Sequence, residues 1–179
     1  MTTPSESTLR HKATAPKKLS FGVYVCSTSR YQATVRKEEV EDVSGSLIEN
    51  LLRSAGHSVL FKRIIPDDQK AIAESVKEAL ENPHLDAVIY SGGTGIALSD
   101  VTIETVTPFL EKTLPGFGEI FRRISYDEAG SAAVLSRAVA GVARGKVFYC
   151  LPGSPDAARL AVERLILPET PHIVRHARE

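Results

Sequence analysis

The chain has 179 residues, 42% of them hydrophobic and 25% charged, the proportions of one globular domain with a sizeable core. Its 22 basic and 22 acidic side chains cancel to a formal net charge of zero, so there is no global positive field to recruit nucleic acid or an anionic membrane, and an anionic ligand needs a local site. The two cysteines, Cys26 and Cys150, lie inside apolar runs and read as buried free thiols of a reducing compartment, not as a disulfide framework.

Residues 1–18, "MTTPSESTLRHKATAPKK", are polar and lack periodic apolar positions, so they cannot bury enough surface to offset ordering entropy and read as a disordered tail. They lack the apolar core of a secretory signal, and no later stretch reaches bilayer-spanning length, which makes the expected location cytoplasmic. A single domain is expected over residues 19–179. In "LSFGVYVC" Phe21, Val23 and Val25 alternate with Tyr24 and Cys26, the pattern of a first strand that exits into "STSR". Val43, Leu47, Leu51 and Ala55 recur at helical spacing, with Gly56 just past them as a left-handed cap. "HSVLFKRII" is a second strand, and after "PDDQ" a second helix carries Ile72, Val76 and Leu80, ending before Asn82-Pro83. "LDAVIYS" is a third strand.

Beyond it the pattern predicts a helix near Ile103 to Glu111, a break at Pro115-Gly116, and an amphipathic stretch from Phe117 to Ile124. One or two strands surround the turn Ala143-Arg144-Gly145-Lys146, the second being "KVFYCL", and Ala158, Val162 and Ile166 mark a closing helix. Strand and helix alternate, so the expectation is a three-layer α/β domain with a mostly parallel sheet and one antiparallel edge element.

Loops leaving the carboxyl ends of parallel strands share one edge of a sheet, where ligands bind. Here those loops hold Ser27 to Arg30, Asp67 and Asp68, Gly92 to Asp100, and Pro152, Gly153 and Ser154. Hydroxyls, backbone amides and carboxylates together suit a phosphate and a divalent cation. Separately they have plainer readings: Ser27 to Arg30 as a solvated strand exit, Asp67 or Asp68 as a helix N-cap, "LPGSP" as a turn. "YSGGTGIALSD" is harder to dismiss, because three glycines in four residues exceed what a single tight turn needs.

Known glycine motifs do not fit. "GTGIAL" has Leu98 where a dinucleotide fingerprint has its third glycine, and "GVARGKV" is one residue short of a phosphate-binding P-loop. Ser154 lacks a nucleophile-elbow pattern. His172 and His176 have the i, i+4 spacing of metal ligands, but no third ligand is evident and they read as surface histidines.

"SGGTGIALSDVTIETVTPFLEKTLPGFGEIFR", with "LSRAVAGVARGK" and "LPGSP" downstream and Asp42, Ser44 and Gly45 at the entry to the first helix, resembles the MoaB/Mog family of molybdenum cofactor biosynthesis proteins. The similarity spans about Leu19 to Glu179. It implies a molybdopterin-binding fold and, in active members, transfer of AMP from ATP to the terminal phosphate of molybdopterin. By the same resemblance Gly92, Gly93, Thr94 and Gly95 cradle the phosphate end, with Ser136, Pro152, Gly153 and Ser154 on the pocket walls; Ser27, at the exit of the first strand, is a further candidate for substrate binding. Asp67 and Asp100 match the two important carboxylates, with Asp100 the first choice for Mg²⁺ and Asp67 the second. The resemblance also implies a homotrimer or homohexamer and hand-over of the adenylylated product to the molybdate-inserting enzyme. One departure stands out: the family commonly has Arg immediately before the second carboxylate, and this chain has Ser99. Arg30, Arg122, Arg123 and Arg137 are candidates to replace it. The alternative to an adenylyltransferase is a non-catalytic molybdopterin-binding or assembly protein of the same pathway.

Overall fold

The computed structural model describes residues 16–179; most of the expected tail, residues 1–15, lies outside the described residues. Four parallel strands make up most of one six-stranded sheet: β1 (Ser20–Cys26), β2 (Ser58–Ile65), β3 (Ala87–Ser91) and β6 (Lys146–Leu151), with β2 at the edge. The antiparallel strands β4 (Lys112–Thr113) and β5 (Val139–Ala143) extend one side, giving the order β2-β1-β3-β6-β5-β4. Thus the expected mostly parallel sheet with an antiparallel edge is what forms. The hairpin from β5 to β6 closes through a two-residue turn in which Arg144 and Gly145 have φ of 49° and 70°, the left-handed pair whose twist matches adjoining strands.

Alternation along the strands feeds two cores. Phe21, Val23, Ile89, Val147 and Tyr149 face α2 (Val43–Ser54), α5 (Pro115–Ala129) and the C-terminal helices. Tyr24, Cys26, Val88, Tyr90, Phe148 and Cys150 face α3 (Gln69–Glu81) and α4 (Thr102–Val106). Burying β1, β3 and β6 on both faces leaves the loops at the strand ends as the place for chemistry. The two cysteines are free and buried, and burial pushes the Cys26 thiol up to about 12, so neither behaves as a reactive thiolate. No helix among the described residues is long and apolar enough to cross a membrane.

Four local features differ from the sequence expectation. "TSRYQATV" is a helix, α1 (Thr28–Val35), with no buried residue, so it carries no apolar stripe to announce it. In α2 the buried face is Ser44, Gly45, Ile48 and Leu52, while Val43 is 48% exposed. The helix is rotated by one position because Gly45 packs against Val25, where a Cβ would come within 2.6 Å of a Val25 methyl. Pro115 and Gly116 do not interrupt the chain but open α5, with Pro at a position whose N–H would be unpaired anyway. The closing helix is three pieces: α6 (Pro155–Ala161), a π-helical turn (Val162–Ile166) and α7 (Leu167–Ala177). Pro168 and Pro171 lack the N–H that a regular helix would return to the preceding turn, and the hydrogen-bond ladder shifts to accommodate them.

Candidate active site at the carboxyl edge of the sheet

Strand β3 ends at Ser91, whose fully buried hydroxyl has no partner among the described residues, and the chain then crosses the ends of its neighbours. Gly92 has φ of 105°, and a Cβ there would lie 2.3 Å from the Cys26 carbonyl oxygen. Gly93 has φ of 63°, with its would-be Cβ 2.4 Å from Thr102 Oγ1 and 2.9 Å from Asp67 Oδ1. Both positions therefore require glycine for conformation and for space. Thr102, at the start of α4, fastens the loop: its N–H donates to the Gly93 carbonyl and its hydroxyl to the Gly92 carbonyl, each at 2.9 Å. The loop then folds back on itself, with Asp100 Oδ2 accepting from Ala97 N at 2.8 Å and lying beside Gly95.

Two further strand ends complete the site. Gly153, after β6, approaches Gly92 so closely that a Cβ would sit 3.2 Å from the Gly92 Cα. From the segment before β5, Arg137 donates through Nη1 to the Gly95 carbonyl at 3.1 Å and through Nη2 to the Glu104 carboxylate. Together these bound a cavity of about 310 Å³, near the lower limit for small-molecule sites. Gly92, Gly93, Thr94, Gly95 and Asp100 form one wall, Leu135, Ser136 and Arg137 a second, and Pro152 and Gly153 a third. Larger hollows lie between β4 and α7, about 480 Å³, and beside α5, about 610 Å³. Neither sets glycine amides against a carboxylate, so the smaller cavity is the chemically equipped one.

Asp67, Asp68, Ser27 and Ser154, also singled out from sequence, do not line this cavity. Asp67 Oδ2 accepts from Thr28 N at 2.8 Å and Thr28 Oγ1 at 3.1 Å, tying α1 to the exit of β2, while Oδ1 faces Gly93. Asp68 is the N-cap of α3, accepting from Ala71 N at 2.9 Å, which leaves Asp67 available for its other contacts. The carboxylates of Asp67 and Asp100 rest against Gly93 and Gly95, two positions whose Cα atoms are at most about 7 Å apart. Ser27 caps α1 and Ser154 caps α6, each accepting a backbone N–H at 3.4 Å. Of the arginines, Arg30 donates to the Glu41 carbonyl at 3.1 Å and Arg123 pairs with Asp127 at 2.6 Å. Arg122 lines the hollow beside α5, and only Arg137 reaches the cavity.

Thr28 falls within the expected loop Ser27 to Arg30, whereas Thr102 and Glu104 are not among the site residues expected from sequence. Thr102 had a local signal, a hydroxyl residue two places after Asp100 at a helix start. The Arg137–Glu104 contact spans 33 residues and has none. Burial opposes ionisation of Glu104, but the Arg137 hydrogen bond, its own backbone N–H and the Arg137 charge outweigh that and hold its carboxyl below the usual range. No group of three His, Cys, Asp or Glu among the described residues is placed to hold a metal. Mg²⁺ commonly takes only one or two carboxylates and completes its shell with substrate phosphates and water, and a partly buried Asp100 at the cavity wall fits that donor set.

The arrangement defines an α/β domain that gathers a glycine loop, a carboxylate and a guanidinium around one cavity at the strand exits. Residues 22–172 match the family described as "Probable molybdopterin binding domain". The chain is 43% identical over 174 residues to molybdenum cofactor biosynthesis protein B of Bacillus subtilis, covering 97% of this chain and 98% of that one. It is also 43% identical over 173 residues to the molybdopterin adenylyltransferase of Pyrococcus furiosus, covering 94% and 97%. A crystal structure of molybdenum cofactor biosynthesis protein B superposes with a TM-score of 0.83 at 42% identity, over 92% of this chain and 98% of that one. The chain belongs to the molybdopterin-binding-domain family.

Proposed function

We propose that the chain acts in molybdenum cofactor biosynthesis as a molybdopterin adenylyltransferase. An oxygen of the terminal phosphate of molybdopterin attacks the α-phosphorus of ATP, the bond from that phosphorus to the oxygen bridging to the β-phosphate breaks, and pyrophosphate leaves. The observation that carries this reading is the convergence of Gly92, Gly93, Thr94, Gly95 and Asp100 with Ser136, Pro152 and Gly153 around one cavity, in a chain 43% identical to a protein named for that activity.

Joining two polyanions is limited by their repulsion and by alignment of the attacking oxygen with phosphorus. The glycine-loop amides hold the phosphate end, while the missing Cβ atoms at Gly93 and Gly95 make room for Thr102, Asp67 and Asp100 behind the loop. Ser136 offers a hydroxyl from the facing wall. Asp100, with Asp67 behind Gly93, is the place for Mg²⁺, which when bound screens the charge between the two reactants. A phosphate monoester is already ionised near neutral pH, so no side chain has to act as general base. Ser27 and Ser154 contribute by capping the helices at the rim. Assembly as a homotrimer or homohexamer, hand-over to the molybdate-inserting enzyme and a cytoplasmic location belong to the same reading. Exposed Ile120, Tyr126 and Val134 supply apolar surface suited to self-association.

One observation favours a second reading, a molybdopterin-binding or assembly protein without catalysis: position 99 holds an exposed serine, so the loop itself carries no cation beside Asp100. Release of pyrophosphate from Mg-ATP that depends on molybdopterin separates the two. Binding of molybdopterin without any such release overturns the enzymatic reading.

A further inference from the structure

Of the residues lining the cavity, Arg137 alone is basic and Asp100 alone acidic. A phosphate entering beside Asp100 brings at least one more negative charge, so Arg137 decides whether the cavity attracts or repels it. The guanidinium has five N–H donors. Nη1 is anchored on the Gly95 carbonyl at 3.1 Å, and Nη2 holds Glu104. The anchor is therefore a backbone group of the glycine loop, while the neutralising partner is a carboxylate whose side chain is 48% exposed and does not line the cavity. An exposed ion pair of this kind contributes little, whereas a guanidinium binds phosphate through parallel charge-assisted hydrogen bonds, an interaction of the stronger class.

We propose that Arg137 is the anion-binding residue that sets the cavity's affinity for phosphate, and that Glu104 competes with the ligand for it, giving up the guanidinium when a phosphate enters. This rests on the reading of the cavity as a phosphate site and adds to it a specificity-determining cation in place of the one missing at Ser99. The Gly95 contact keeps the fork at the loop while its partner changes, so Glu104 regulates charge and not position.

Calorimetric titration of the full chain with inorganic pyrophosphate tests the sign of each effect. Arg137→Met is expected to weaken binding roughly tenfold or more, the size of a lost charge-assisted hydrogen bond, with Arg137→Lys between it and the parent. Glu104→Gln is expected to tighten binding severalfold, and the double variant to bind no better than Arg137→Met. Weaker binding in Glu104→Gln would show that the carboxylate positions Arg137 and overturn the proposal, as would Arg137→Met binding as tightly as the parent. If Arg137→Met does not fold, Arg137→Lys and Glu104→Gln carry the same opposed signs. In turnover, a raised KM for molybdopterin alone in Arg137→Lys places the guanidinium at the pterin phosphate, a raised KM for ATP alone places it at the nucleotide, and no change in either overturns it. Pyrophosphate binding with the expected signs but no AMP transfer sinks the adenylyltransferase reading and leaves this one standing.

Discussion

Replacing Gly93 with alanine tests whether the glycine loop is held by its neighbours or merely tolerated by them. At φ of 63° an L-residue pays roughly 1–2 kcal/mol for the left-handed conformation. The new methyl would also sit 2.4 Å from Thr102 Oγ1 and 2.9 Å from Asp67 Oδ1. Thr102 cannot swing aside without releasing the Gly92 carbonyl, and Asp67 is tied to Thr28 through its backbone and hydroxyl, so the methyl has to be accommodated by overpacking at about 1–3 kcal/mol. The sum is about 2–5 kcal/mol, and at about 2–4 °C per kcal/mol for a domain of this size the thermal midpoint should fall by about 4–20 °C. Gly116→Ala is the control: it lies inside α5 with nothing within 4 Å of a built Cβ, and should gain about 0.5–1 kcal/mol from reduced unfolded-state freedom and better helix propensity. Thermal unfolding followed by circular dichroism reads both variants. If Gly93→Ala unfolds at the parent's midpoint, the packing of the loop against Thr102 and Asp67 is wrong.

Asp100→Asn keeps an oxygen to accept from Ala97 N, so its unfolding midpoint should stay near that of the parent while AMP transfer falls by about a hundredfold or more; full turnover in this variant removes Asp100 from the mechanism. Ser99→Arg adds a cation to an exposed loop position and should strengthen pyrophosphate binding severalfold at low ionic strength, an effect that high salt abolishes because exposed charges are screened; salt-independent tightening would mean a direct contact instead. His57 accepts from Leu19 N through Nδ1 at 3.2 Å and is held neutral by burial, which lowers its pKa. The unfolded ring titrates near about 6.5, so as pH falls the unfolded chain takes up this proton first. The His57 contribution to stability is therefore complete above that pH and is lost as pH drops through the lower folded value. His57→Asn should flatten the acid limb of a stability profile measured by denaturant unfolding, and an unchanged limb would assign it to other groups.

The parts of the fold legible in the sequence are those where burial imposes a period. Phe21 and Val23 against Tyr24 and Cys26 fall on opposite faces of β1 because each face meets a different helical layer. Ile72 and Val76 mark α3 because that helix buries one stripe. Where burial is absent the signal vanishes: α1 covers no core and is held through Asp67 and Thr28, a contact across 39 residues. The α2 face was displaced because two adjacent rows, through Leu47 and Leu51 and through Ile48 and Leu52, are equally apolar, and only the tertiary approach of Gly45 to Val25 selects between them.

The glycine cluster shows why a site is harder to read than a fold. Three glycines in four residues exceed what a single turn needs and, in sequence, read as space kept for a ligand. In the folded chain each has a protein neighbour that a Cβ would strike: the Cys26 carbonyl for Gly92, Thr102 and Asp67 for Gly93, the Asp100 carboxylate for Gly95. The glycines are thus required first by the packing of three strand exits onto one another, and the same packing brings Asp100 to the cavity wall and Asp67 behind Gly93. The cavity's one cation comes from elsewhere in the chain: Arg137, held between the Gly95 carbonyl and Glu104, is the group proposed to meet an incoming phosphate. Counting glycines locates such a place, because close backbone approach and ligand access share a steric requirement; the ligand's charge is decided by residues that only the fold brings there.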